Sequence, residues 1–244
     1  MNIRKKILTR CGALLTAVLV LAPTALAAEA EIPYIPQTVP AAQLAPADQR
    51  GQEDWQLLLV NPWHTVPEGY EIKLATLSNG LQVDERIYDD LDDMLSDCRE
   101  AGLNPIVCSA YRTEATQTRL YRNKVARVRA SGVPEDRVEA EAARWVAKPG
   151  TSEHQTGLAL DIVAAGYQIL DEEQEDTAEQ KWLMENSWKY GFILRYPSEK
   201  SDITGIGYEP WHYRYVGKAA AADIYRTGVC LEEYLETLQE DGVS

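Results

Sequence analysis

The segment Leu158-Ala159-Leu160-Asp161-Ile162-Val163 constrains this chain more than any other. Every residue but one is apolar, so it reads as a buried strand, yet its fourth position is a carboxylate. Side chains alternate across a strand, which sends Ala159, Asp161 and Val163 to one face and Leu158, Leu160 and Ile162 to the other. An ionised carboxyl buried there without a partner is costly, and coordination of a metal offsets that cost. His154 precedes Asp161 by seven residues, and Gly157 between them lets the chain turn so that the imidazole reaches the same point. The spacing on its own also admits a capping histidine and a surface aspartate at a strand edge.

Only three histidines occur in the chain, and a second one lies in Glu209-Pro210-Trp211-His212. The two clusters together offer two imidazoles and a carboxylate, a ligand set that leaves a fourth zinc position open for water. Glu209 adds a spare carboxylate three residues before His212. An open zinc site beside a glutamate is the equipment of a metal hydrolase. Pro210 disfavours a helical Glu209, so the arrangement is not the helical H-E-x-x-H motif. Glu209 and His212 must instead converge through a turn and extended chain. The alternative has Glu209 paired with Arg214 and His212 packed beside Trp211. His64, in Asn61-Pro62-Trp63-His64, has no acidic partner at ligand spacing and reads as packing.

These clusters and two further segments resemble a known family. The pattern S-x-H-x-x-G-x-A-x-D from Ser152 to Asp161, followed by E-x-W-H from Glu209 to His212, is similar to that of VanY-type zinc D-alanyl-D-alanine carboxypeptidases. Their wider group includes D-Ala-D-Ala dipeptidases and other peptidoglycan peptidases. Ser109-Ala110-Tyr111-Arg112 and the stretch Gly191–Pro197 extend the likeness in the family's order, over residues 55–235. The resemblance implies one zinc per chain, held by His154, Asp161 and His212. Glu209 is then the general base that later protonates the leaving amine. Arg112, placed after an apolar strand, is the candidate to stabilise an oxyanion or hold a substrate carboxylate, with a structural salt bridge as the alternative. Ser152 and Gln155 border the metal and are candidates to bind the substrate terminus, or else caps of their loop.

The implied reaction is removal of the terminal D-alanine from a peptidoglycan stem peptide or its precursor. An L,D-carboxypeptidase or a D-Ala-D-Ala dipeptidase on the same scaffold is the nearest alternative. A noncatalytic cell-wall-binding module belongs to a different class, and such a module has no need of Glu209.

The N-terminus carries an address. Arg4, Lys5, Lys6 and Arg10 precede an apolar run from Cys11 to Ala22, and Ala25-Leu26-Ala27 supplies a cleavage pattern. The run is too short to span a bilayer, where about 20 residues are needed. Residues 1–27 therefore read as a secretory signal, with an uncleaved anchor as the lesser alternative, and the expected location is extracellular or the cell-wall space. Residues 28–50, with Pro33, Pro36, Pro40 and Pro46, read as an extended linker. Residues 51–244 remain for one domain with a buried core. Loss of the four basic residues takes the net charge from −14 to about −18. So acidic a protein is a poor partner for nucleic acid or anionic lipid. After cleavage Cys98, Cys108 and Cys230 remain, an odd number. Three free and mostly buried thiols are expected, although Cys98 and Cys108 flank a turn at Gly102 and could pair.

Periodicity places the elements. Strands are expected at Gln56–Val60, Asn104–Ser109, Leu158–Val163, Ile193–Arg195 and His212–Val216. Ile87, Leu91, Met94, Leu95 and Cys98 recur at helical spacing up to Gly102. Further helices are expected at Thr113–Arg129, Pro134–Val146, Thr177–Tyr190 with Gly191 as C-cap, Lys218–Thr227 and Leu231–Gln239. Trp182, Trp188 and Tyr190 lie at helical spacing and read as core rather than as a sugar platform. Mixed order without regular βαβ alternation argues for an α+β fold, a mainly antiparallel central sheet flanked by helices. The resemblance implies the same single zinc peptidase domain, similar to hedgehog and D,D-peptidase folds.

Overall fold

Leu91, Met94, Leu95 and Cys98 are all buried on one side of helix α1 (Tyr88–Glu100), so the helical spacing read from the sequence is the face that builds the core. This is a computed structural model, and it describes residues 55–240. The signal, the linker and residues 51–54 lie outside the described residues. A short hairpin of β1 (Leu74–Thr76) and β2 (Gln82–Asp84) precedes α1. The chain continues through β3 (Pro105–Ser109), α2 (Glu114–Ala130), α3 (Glu135–Ala143) and β4 (Ala159–Ala164). It ends with α4 (Ala178–Asn186), β5 (Phe192–Leu194), the single turn α5 (Ser201–Thr204), β6 (His212–Tyr215), α6 (Lys218–Thr227) and α7 (Leu231–Glu240).

Four strands form a fully antiparallel sheet in the order β3-β4-β6-β5. Leu158, Leu160 and Ile162 pack with α1, Leu183 of α4, Phe192, Tyr213 and Tyr215 in one apolar cluster. The side chains of β4 thus divide as alternation requires, with Asp161 on the other face. Its register decides the site: Ser109 of β3 and His212 of β6 lie directly opposite Asp161 on its two neighbours. Residues so paired have neighbouring side chains on one face, about 4.5–5.5 Å apart at Cβ. A second cluster joins α6 and α7 to Trp188, Ile193 and Val216 at the β5 end. Trp182 and Tyr190 pack against the first cluster, so these aromatics are core, as expected.

The structure corrects several boundaries. Gln56–Val60 forms no strand. The carbonyls of Gln56 and Leu58 accept instead from Arg214 Nη2, at 2.9 and 2.8 Å, so a buried guanidinium takes the place of a neighbouring strand. Helix α3 stops at Ala143, short of Val146. Helix α4 ends at Asn186 and tightens into a 3-10 turn over Ser187–Tyr190 before Gly191. The expected strand at Ile193–Arg195 sits one residue earlier. The hairpin β1–β2 and α5 had no expectation, since three- and four-residue elements are too short to show a period. All three cysteines in the described residues are free, and Cys108 is exposed while Cys98 and Cys230 are buried.

Candidate metal centre

Three donor atoms, one each from His154, Asp161 and His212, lie within 4.8 Å of one another, and all three residues are buried. The strand register supplies Asp161 and His212. His154 arrives from a 3-10 turn, Glu153–Thr156, that ends at Gly157 with φ +74°. A Cβ at Gly157 would stand 2.4 Å from Ile72 Cδ1 and 2.8 Å from the backbone nitrogen of Asp84. Both the backbone angle and the space therefore require glycine. The Arg112 N–H donates to the His154 carbonyl at 3.0 Å, which ties the Ser109–Arg112 segment to the same turn.

Asp161 Oδ1 is buried and accepts no hydrogen bond, although His154 Nε2 and His212 Nδ1 each lie 3.3 Å away. An orphaned anionic oxygen between two imidazole nitrogens fits a cation at that point. The outer atoms of the ligands are already engaged. His154 Nδ1 is 2.8 Å from the Ala110 carbonyl, which leaves Nε2 as the nitrogen with a free lone pair. His212 Nε2 is 3.4 Å from Glu153 Oε2, so Nδ1 faces inward. Arg112 Nη2 donates to Asp161 Oδ2 at 2.6 Å. Two imidazoles and one carboxylate, each oriented from outside, suit zinc with open positions.

Electrostatics sharpen the division of labour. Burial, with the Arg112 charge, pushes His154 down to about 4, so the ring stays neutral and able to coordinate. Burial opposes ionisation of Asp161, but His154 and Arg112 hold it well below the usual carboxylate range. Glu209 goes the other way: burial pushes it up to about 8, His212 opposes that and the Asp161 charge adds to it. Burial alone would lower His212, yet Asp161, Glu153 and Glu209 raise it to about 9. Three carboxylates around one imidazole favour a positive charge there, supplied by a proton on His212 or by a cation at the centre.

The residues expected from the sequence separate here. His154, Asp161, His212, Glu209, Arg112 and Ser152 all line one cavity of about 710 Å³. Glu209 Oε2 lies 3.5 Å from His212 Nδ1, brought there by the turn at Pro210. Arg112 also donates from Nε to Ser109 Oγ at 2.9 Å and reaches Gln117 Oε1 at 3.5 Å. Gln155 turns away, since its Oε1 accepts from the Gly150 N–H at 2.7 Å, and it does not line the cavity. His64 lies outside the centre, bound through Nδ1 to Asn61 Oδ1 at 2.9 Å.

Sequence reasoning missed Glu153. It is fully buried, and Arg195 and Arg214 hold it well below the ordinary carboxylate range against the effect of burial. Arg214 thus pairs with Glu153 and not with Glu209. The position between Ser152 and His154 was visible, but its partners are 42 and 61 residues away and nothing local announces them.

Comparisons with known proteins agree with this geometry. A family model described as VanY, D-alanyl-D-alanine carboxypeptidase, matches residues 80–218. A D-alanyl-D-alanine carboxypeptidase of Enterococcus faecalis (strain ATCC 700802 / V583) is 48% identical over 195 residues, spanning 80% of this chain and 71% of that one. The solved structure of VanYB in complex with D-alanine-D-alanine superposes with a TM-score of 0.70 at 48% identity, covering 75% of this chain and 98% of that one. A mutant of the vancomycin resistance D,D-pentapeptidase VanY from a VanB-type cassette, in complex with Zn(II), gives 0.68 at 48% identity, covering 74% and 99%. Every element that carries Arg112, His154, Asp161, Glu209 and His212 falls inside the matched span, and the chain belongs to the VanY D-alanyl-D-alanine carboxypeptidase family.

Proposed function

We propose that this protein is a zinc-dependent D,D-carboxypeptidase that removes the terminal D-alanine from peptidoglycan stem peptides or their precursor. The observation that carries the reading is the convergence of His154, Asp161 and His212 on one point, with Glu209 beside it in the same cavity. Zinc held by those three residues supplies Lewis acidity, polarising the scissile carbonyl and acidifying the attacking water. Glu209 takes the proton of that water and gives it to the leaving amine. Burial makes it a stronger base than a surface glutamate, which suits the task. Arg112 keeps Asp161 aimed inward through Oδ2, and its remaining N–H groups are the donors for the developing oxyanion. Ser152 lines the cavity as a contact for the substrate terminus, whereas Gln155 supports the loop that carries His154.

The reading includes export. Residues 1–27 act as the signal and 28–50 as the linker, which puts the enzyme on the side of the membrane where its substrate lies. Among the described residues no helix is long and apolar enough to cross a membrane.

Incubating the purified protein with stem pentapeptide, stem tetrapeptide and free D-Ala-D-Ala, with products identified by mass, tests the reading. D-Alanine released from the pentapeptide is the expected result. Cleavage of the tetrapeptide alone would replace it with an L,D-carboxypeptidase, and cleavage of the dipeptide alone with a dipeptidase. Stoichiometric zinc with no hydrolysis of any of them would leave a wall-binding module.

A further inference from the structure

The cavity runs past the metal ligands along one face of α2, where Leu120, Lys124 and Arg127 follow one another at helical spacing. Lys124 is half-buried, and its Nζ lies 5.3 Å from the centre of the Trp145 ring. The indole is itself fixed. Its Nε1 donates to Glu141 Oε1 at 3.1 Å, and Gly207 closes against its six-membered ring so tightly that a Cβ there would come within 2.9 Å. Lys124 forms no ion pair among the described residues. Burial, then Arg127, pull its ammonium below the usual lysine value by more than the nearby Glu141 and Glu209 raise it, so a further anion in direct contact stabilises the charged form. Arg112, by contrast, already donates to Asp161, Ser109 and Gln117, and its remaining N–H groups are the proposed donors for the oxyanion. Another part of the cavity lining is acidic, with Asp171, Glu172 and Glu173, and repels a carboxylate.

We propose that Lys124, held on the Trp145 shelf, is the seat for a carboxylate of the peptide substrate and so a determinant of which peptides bind. The proposal rests on the carboxypeptidase reading, which supplies a peptide with a free C-terminus. A stem peptide offers this chemistry from two sources, its terminal carboxylate and that of an acidic residue upstream. Either one gains a charged hydrogen bond in a partly desolvated cavity, where such bonds are stronger than on the open surface.

The test compares wild type, Lys124→Met and Lys124→Arg on a pentapeptide and on the same peptide with its upstream carboxylate amidated. A C-terminal amide serves as a competitive ligand, and calorimetry measures direct binding of all three peptides. Lys124→Met should raise KM and Kd for the parent peptide roughly tenfold, in line with loss of one charge-assisted bond, while kcat moves less than about twofold. Lys124→Arg should restore most of the affinity. If the upstream amide erases the difference between wild type and Lys124→Met, that carboxylate is the one seated. If only the C-terminal amide erases it, the terminal carboxylate is. Unchanged KM and Kd for the parent peptide, a loss confined to kcat, or an equal loss with all three peptides would overturn the proposal. Should Lys124→Met fail to fold, Lys124→Gln carries the same comparison, since it keeps a polar end at the cavity. A wild-type protein that binds the peptides but releases no D-alanine would instead refute the carboxypeptidase reading, and the calorimetric arm would still decide whether Lys124 holds a carboxylate.

Discussion

Asp161 and Glu209 are buried carboxylates that both approach Nδ1 of His212, and their surroundings drive them in opposite directions. Arg112 donates to Asp161 and, with His154, keeps it ionised, whereas at Glu209 burial outweighs the opposing pull of His212, Arg112 and Lys124. One is therefore suited to bind a cation and the other to move a proton. Glu209→Gln should keep zinc stoichiometry and melting temperature within a degree or two, yet lose at least about a hundredfold in kcat, the low end for general acid–base catalysis. Metal analysis beside the turnover assay checks this, and loss of zinc in the variant would recast Glu209 as a ligand. Arg112→Lys keeps the charge without the planar fork that now spans Asp161, Ser109 and Gln117. We expect kcat to fall by roughly tenfold or more while KM changes far less, because the interaction matures in the transition state. A variant that changes only KM would assign Arg112 to ground-state binding of a carboxylate. That Asp161 and His212 meet in one cluster was expected from their residue types and motifs. The outer contacts were not, since Ala110 and Glu153 reach the imidazoles through separations of 44 and 59 residues.

At the scale of elements, the site is a consequence of strand register plus one turn. Pairing of β4 with β3 and β6 sets Asp161 between Ser109 and His212, and a slip of one residue would turn Asp161 into the apolar cluster. The turn at Gly157 brings in the third donor, His154. Gly157→Ala should cost at least about 1–2 kcal/mol for the left-handed backbone, with more for the clash against Ile72 and Asp84. Because the displaced turn carries His154, zinc affinity should fall along with the melting temperature. A variant of wild-type stability and zinc affinity would show that the turn relaxes freely. The strand β4, helix α1 and the exact span of α6 were readable because each repeats its period over enough residues. Gln56–Val60 misled because an apolar run fixes burial without saying what bonds the backbone, and here an arginine does so.

Across the whole molecule, one buried polar chain ties distant segments to the centre. Glu153 accepts from Arg195 and Arg214, Arg195 grips Glu232 through both oxygens, and Asn61 Nδ2 donates to Glu232 at 3.0 Å. The segment at Asn61, the sheet and α7 thus meet behind His212. Glu153→Gln leaves the buried Arg214 without its carboxylate and Arg195 with Glu232 alone, and should cost about 3–5 kcal/mol at neutral pH. It should also weaken zinc binding about 10–100-fold through the lost outer contact to His212. Arg195 and Arg214 depress Glu153, and Arg195 depresses Glu232, so their folded values lie below the unfolded 4.5. Groups of that kind stabilise the fold fully above the unfolded value, and the contribution is lost as pH falls below it. With chelator present, wild type should therefore lose stability steeply below about pH 4.5, and the gap to Glu153→Gln should narrow there. Denaturant melts at neutral and acid pH measure both. A gap that stays constant down to pH 3 would show that the ion pairs do not set acid stability.

The sequence by itself determined the α+β class, most element positions and which residues were candidates for the centre. These depend on residue chemistry and on periods of two or 3.6, which are local properties. Only the tertiary structure decided that Arg112 braces Asp161, that Gln155 supports a loop, and that Glu153 anchors a network behind His212. It also placed Lys124 on Trp145 in the cavity. Each of those is a pairing between buried polar groups from different elements. Such a pairing is selected by the cost of leaving either group without a partner, and that cost arises only once the chain has closed around both.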